Sequence, residues 1–146
     1  MSKPSLSKSL SDTRAIAEDF LDSLKTAEHA TVVALSGDLG AGKTAFTKEL
    51  GNLLGIPHDQ ITSPTFVIMK IFNIRHSLFE HLIHIDAYRL EDEQELVSLG
   101  WNEIIEDPKN LILVEWPEMV KGLIPKDARK LSLKFIDEST REITIH

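Results

Sequence analysis

Apolar residues recur along the chain in two distinct periods, and the alternation between them predicts the element order. Ile16, Phe20, Leu21 and Leu24 fall on one helical face, and Ser9 and Asp12 have capping-box spacing just ahead of them, so a helix is expected from about Leu10 to Lys25. Thr31 to Leu35 (TVVAL) is short, β-branched and uncharged, the pattern of a strand buried on both faces of a sheet. A glycine-rich stretch follows, after which Phe46, Leu50, Leu53 and Leu54 keep helical spacing until Gly55, with Pro57 as a stop signal. Thr65 to Phe72 and Leu78 to Ile85 read as two strands of a hairpin across a polar turn. The acidic stretch Glu91 to Glu95 opens a helix carrying Leu96, Leu99 and Ile104, which Gly100 weakens or splits.

Leu111 to Val114 is a second fully apolar run, ending abruptly in Glu115, Trp116 and Pro117; it predicts a buried strand with a functional C-terminal tip. Leu131, Leu133 and Phe135, then Ile143 and Ile145, alternate with polar residues across a turn at Asp137 to Thr140, which predicts a closing hairpin with one wet face. The order strand, loop, helix, strands, helix, strand, hairpin is that of an α/β protein. One domain over residues 1–146 is expected, with the Ser- and Lys-rich residues 1–10 as a short, flexible, frayed terminus.

Composition narrows the chemistry. There is no cysteine among the 146 residues, so disulfides, Cys-based zinc sites, iron–sulfur clusters and thiol nucleophiles are excluded. Acidic side chains number 23 against 16 basic ones, a formal charge of −7, which argues against a DNA-coating surface. Apolar runs stop far short of the roughly 18 residues a membrane helix needs, and no signal-peptide core precedes Asp12, so a cytoplasmic protein is expected.

Gly37-Asp38-Leu39-Gly40-Ala41-Gly42-Lys43-Thr44 matches G-x-x-x-x-G-K-[ST], with the predicted strand before it and the predicted helix after it. In such a loop the glycines let successive backbone N–H groups face phosphate oxygens, and the helix N-terminus adds partial positive charge. Lys43 would place its ammonium on the outer phosphates, and Thr44 would offer its hydroxyl to magnesium.

Nucleotide chemistry in such a loop also needs an acid at the end of a neighbouring buried strand. Glu115 closes four apolar residues, where an unpaired carboxylate is costly; the alternative is a solvated turn acid. Asp86 ends the strand holding Ile83 and Ile85 and is either such an acid or the N-cap of the acidic helix. Thr65, in Ser63-Pro64-Thr65, either offers a hydroxyl to a terminal phosphate or belongs to a plain turn. Trp116 either stacks on a nucleotide or packs, and Arg89 is either a charge stabiliser or a surface ion-pair partner. His84 and His81 read as structural. No Asn-Lys-x-Asp occurs, so nothing points to guanine, and the five arginines are too scattered for an arginine-rich lid over a small-molecule acceptor. A small-molecule kinase using the same loop stays open as the alternative.

Four segments together, SGDLGAGKT (36–44), TSPTF (62–66), HIDAYRL (84–90) and VEWPE (114–118), closely resemble the TsaE (YjeE) family, bacterial P-loop ATPases of tRNA threonylcarbamoyladenosine biosynthesis. The resemblance runs from about Asp12 to the C-terminus. One departure is Ala87, where the family usually has leucine; the flanking Asp86, Tyr88 and Arg89 are kept.

The resemblance implies a P-loop NTPase-like three-layer sandwich with a central mixed β-sheet, and ATP with Mg2+ in the loop. It also implies cooperation with TsaB and TsaD, which modify the adenosine 3′ of the anticodon, so that tRNA is met only through that complex and this chain is not the transferase. By position, Gly37, Asp38, Leu39, Gly40, Ala41 and Gly42 would form the phosphate loop with Lys43 and Thr44. Asp86, Glu115 and Thr65 would serve hydrolysis, Thr44 and Glu115 would hold magnesium, and Trp116 would lie near the nucleotide.

Overall fold

The computed structural model describes residues 3–62 and 67–146. Its elements are β1 (Lys3–Ser7), α1 (Leu10–Asp22), β2 (Thr31–Ser36), α2 (Lys43–Leu53), β3 (Met69–Asn73), β4 (His81–Asp86), α3 (Glu93–Ser98), α4 (Trp101–Ile104), β5 (Asn110–Glu115), β6 (Arg129–Asp137) and β7 (Thr140–Ile145). The seven strands form one sheet in the order β1-β7-β6-β2-β5-β4-β3. Strands β6, β2, β5 and β4 run parallel, while β1, β7 and β3 pair antiparallel with their neighbours, so the sheet is mixed.

The parallel centre needs cover on both faces, and the pleat provides two apolar sets. Val33, Leu35, Leu111, Leu113 and Leu82 pack with Phe20 of α1 and with Phe46 and Leu50 of α2. Val32, Ile112, Val114, Ile83 and Ile85 face the other way, onto Leu96 of α3 and Trp101 of α4. The α/β order is the one the pattern predicts, and the three layers are those the resemblance implies. By the same parity, Asp86 falls on the face of Leu82 and Glu115 on the face of Leu113. Both strand-end acids therefore lie on the α1/α2 side, where the glycine loop feeds α2.

The helices start and stop for local reasons. Ser9 caps α1, its side chain accepting from the Asp12 N–H at 3.0 Å, while Asp12 accepts the Lys8 N–H at 2.9 Å. Gly100, at φ 103°, separates α3 from α4, so the helix expected to span this glycine is split.

One expectation is corrected and one alternative falls away. Residues 1–10 are not wholly a frayed terminus, because Lys3–Ser7 form an edge strand on β7. That strand is pinned to α1 by the buried Ser7–Thr13 hydroxyl pair at 2.6 Å, and Pro4 is tolerated because the strand is at the edge. Asp86 is not the cap of the acidic helix: Asp92 caps α3, accepting the Glu95 N–H at 3.2 Å.

Candidate active site

The loop between β2 and α2 turns on glycines that no other residue replaces without strain. Gly37 lies at φ 153°, and a Cβ there would sit 2.7 Å from the Leu133 carbonyl oxygen, so β6 packs directly on the loop backbone. Gly42, at φ 99°, occupies the N-cap of α2 in the left-handed region and accepts the first helical hydrogen bond from the Phe46 N–H. Ala41 is buried in the core beneath the loop, whereas Leu39 is 74% exposed at its tip.

A cleft of about 400 Å³ opens along this loop. Asp38, Leu39, Gly40, Gly42, Lys43 and Thr44 line one side of it, and Asp86, Tyr88, Arg89, Glu115 and Trp116 line the other. Gly37 and Ala41 instead support the loop from behind. The structure thus brings together most residues singled out from the sequence. Thr65 lies outside the described residues. His81 sits at the opposite end of β4, paired in register with Asn110.

Asp86 and Glu115 meet because β4 and β5 are parallel and in register at their C-terminal ends, while Glu115 also stands beside Leu35 of β2. Glu115 is buried, and its Oε2 lies 2.5 Å from Nε2 of His84, which is buried as well. Asp86 accepts the Tyr88 N–H at 2.9 Å, an Asx-type turn. Burial pushes the Asp86 carboxyl above the ordinary carboxylate range, and the neighbouring Glu115 charge adds to the shift, against the Tyr88 hydrogen bond and the attraction of His84 and Lys43.

Lys43 is folded back onto its own loop. Its ammonium donates to the Gly37 carbonyl and to the Asp38 carbonyl, the latter at 3.2 Å, and lies over the Trp116 ring. Burial lowers its pKa, while Glu115, Asp86, Glu118 and Asp38 pull the other way. Trp116 is the non-glycine residue with positive φ among those described, at φ 57° and ψ 51°. This conformation costs energy and turns the chain sharply from β5 into the Pro117–Val120 turn. The ring also meets Tyr88 at a 4.9 Å centroid distance.

Hard oxygen donors suit a magnesium ion, which keeps several waters and takes one or two carboxylates together with phosphate oxygens. Thr44, Asp86 and Glu115 supply that donor type around one cleft, and two desolvated carboxylates side by side are an arrangement a cation relieves. Among the described residues no cluster of three or more His, Asp or Glu side chains is placed to hold a metal ion.

Two contributions escape a sequence reading. His84 is two residues before Asp86 and so shares its face of β4, a parity signal for its contact with Glu115. Tyr88 is brought against Trp116 only by the meeting of two separate strand ends.

A strand, a glycine loop and a helix that opens with Lys43-Thr44, with acids at the tips of two adjacent parallel strands, define a P-loop α/β domain. The family profile described as threonylcarbamoyl adenosine biosynthesis protein TsaE matches residues 7–143, and the chain belongs to the TsaE family. Proteins called tRNA threonylcarbamoyladenosine biosynthesis protein TsaE are similar to it. The one from Rickettsia prowazekii (strain Madrid E) is 34% identical over 135 residues, covering 92% of this chain and 88% of the relative. The one from Bacillus subtilis (strain 168) is 39% identical over 118 residues, covering 81% and 70%. The crystal structure of Bacillus subtilis YdiB superposes with a TM-score of 0.74 at 31% identity, over 99% of this chain and 84% of the other. No helix among the described residues is long and apolar enough to cross a membrane.

Proposed function

We propose that this protein is the ATP-binding and ATP-hydrolysing subunit required for threonylcarbamoylation of the adenosine 3′ of the anticodon in tRNA. It acts in the cytoplasm with TsaB and TsaD and is not itself the transferase. The observation that carries the ATPase part is the convergence of Lys43, Asp86 and Glu115 on one cleft at the ends of β2, β4 and β5. The pathway is that named for the relatives.

ATP with magnesium supplies the phosphoanhydride bond to be broken and the cation that neutralises charge on its outer phosphates. In this reading Gly37 to Gly42 line up backbone N–H groups for the phosphates. Lys43 leaves the Gly37 and Asp38 carbonyls for phosphate oxygens, exchanging neutral acceptors for charged ones. Thr44 and Glu115 hold magnesium, and Asp86 orients the attacking water. Thr65 senses the terminal phosphate, and Trp116 flanks the nucleotide. Turnover by the lone chain is low because, apart from Arg89, the cleft lining offers no arginine finger, and a partner subunit supplies that charge.

The test is steady-state phosphate release by the purified chain, alone and with TsaB and TsaD, beside a pull-down with and without ATP. Phosphate release that rises with the pair and ATP-dependent capture support this reading. Transfer of phosphate to a free metabolite would replace it with the kinase alternative.

A further inference from the structure

One buried side chain of the site has no task in the mechanism above. His84 Nε2 and Glu115 Oε2 lie 2.5 Å apart, with side-chain exposures of 8% and 4%. In the β4/β5 register His84 stands opposite Leu113, and Asp86 opposite Glu115. The imidazole therefore reaches diagonally forward along the face to meet a carboxylate one register step beyond it, at the rim of the cleft. Packing alone asks for no such residue: the preceding position on the same face, Leu82, and its cross-strand neighbour Leu113 are aliphatic. A buried carboxylate, by contrast, needs a donor, since leaving it without one costs its desolvation.

We propose that His84 is a positioning residue: its Nε2–H holds Oε2 of Glu115, fixing the carboxylate rotamer so that Oε1 is presented to the phosphate end of the cleft. The inference rests on the reading of Glu115 as a magnesium partner. A glutamate has three side-chain torsions to restrain, and a carboxylate that also swings among other rotamers holds a cation less well. Partners one step behind a ligand commonly change metal affinity or activity by tenfold or more when removed. His84 would thus set the magnesium response without touching nucleotide.

The experiment compares His84→Leu, which keeps volume and removes the donor, with His84→Gln, which returns an amide N–H near the place of Nε2. Binding of a non-hydrolysable ATP analogue is measured by calorimetry with and without magnesium chloride, and turnover is measured in parallel. In His84→Leu the magnesium-free affinity should stay within about twofold of wild type, while the gain on adding magnesium shrinks about tenfold and turnover falls by a similar factor. His84→Gln should restore both to within about threefold. In a Glu115→Gln background, His84→Leu should add no further loss, because both changes remove the same contribution. A wild-type magnesium gain in the Leu variant, or losses that multiply in the double variant, would overturn the proposal.

Two arms keep the outcome independent of folding and of the ATPase reading. Imidazole nitrogen NMR of the wild-type, metal-free protein should show His84 Nε2 protonated, and an unprotonated Nε2 overturns the proposal even if His84→Leu does not fold. Absence of turnover in wild type would remove the ATPase reading, while the magnesium-dependent binding and the NMR would still decide the role of His84.

Discussion

The Lys43 ammonium lies 4.1 Å from the centroid of the Trp116 ring, so the cation of the phosphate loop faces an aromatic side chain held in left-handed backbone conformation at the tip of β5. A cation in this position is attracted by the ring and by two loop carbonyls, all of which are weaker partners than phosphate oxygens. An anion entering the loop would therefore offer the ammonium stronger partners than these. The same contact ties the environment of the Trp116 indole to the occupancy of the loop.

Lys43→Ala should leave the fold intact and remove most ATP binding and turnover. The ammonium contributes no apolar packing, and its removal also lifts a charge that burial disfavours. Calorimetry should find ATP affinity at least about tenfold weaker, roughly 1.4 kcal/mol. Circular dichroism should be unchanged, and a folded variant with wild-type affinity would contradict the loop assignment.

Glu115→Gln and Asp86→Asn should each lower hydrolysis by at least about tenfold while nucleotide binding stays measurable. Both acids stand at strand ends beside the glycine loop, where, on the proposed function, they would act on the cation and the water more than on the base or the ribose. A variant that turns over at the wild-type rate would reduce that residue to a turn acid.

How much of this could be read from the chain depends on the range over which each signal acts. The strand before Gly37, the helix after Lys43 and the strand that ends at Glu115 follow from local period and punctuation. The split at Gly100 is a local backbone effect and was legible for the same reason. The pairing of β1 with β7 joins opposite ends of the chain, and the polar composition of the first ten residues carries no trace of it. The cap of α3 stays open in the sequence because Asp86 and Asp92 are equally good capping types; the fold decides it by giving the Glu95 N–H to Asp92 and the Tyr88 N–H to Asp86. The meeting of His84 with Glu115 requires both a parallel register and matching parity, and neither is fixed until the sheet order is known.

Asp86 also carries a stability prediction whose sign follows from its displaced titration. Burial raises its pKa above the unfolded value, so the charged form is disfavoured by folding. The protein is then most stable, as far as this group is concerned, below the unfolded carboxylate pKa of about 4, and it loses stability as pH rises through the higher folded value. Asp86→Asn should accordingly raise the melting temperature of the ligand-free protein at pH 7 to 8. That advantage should shrink as the pH approaches about 4, where wild-type Asp86 is neutral too. Adding ATP and magnesium should narrow or reverse the difference, since the ligand stabilises the state that binds it better. Thermal melts across this pH range decide it, and an unchanged or lower melting temperature at pH 8 would contradict the burial argument.

Alone, the protein should hydrolyse ATP slowly, turn over faster with TsaB and TsaD, and show no appreciable tRNA binding without them. Arg89 lines the cleft, but a stabilising cation supplied by a partner raises phosphoryl-transfer rates by about a thousandfold or more, so the largest gain should come in trans. A formal charge of −7 opposes the RNA backbone at long range, which leaves tRNA to be held by the assembled complex. The state of the nucleotide at Asp86 and Thr65 would then bias how this subunit docks. Phosphate release with and without the two partners, beside a tRNA mobility shift at low salt, measures both halves. Full activity in isolation, or tight tRNA binding by the lone chain, would favour an independent enzyme, because neither follows from a site that depends on an outside charge and an acidic surface.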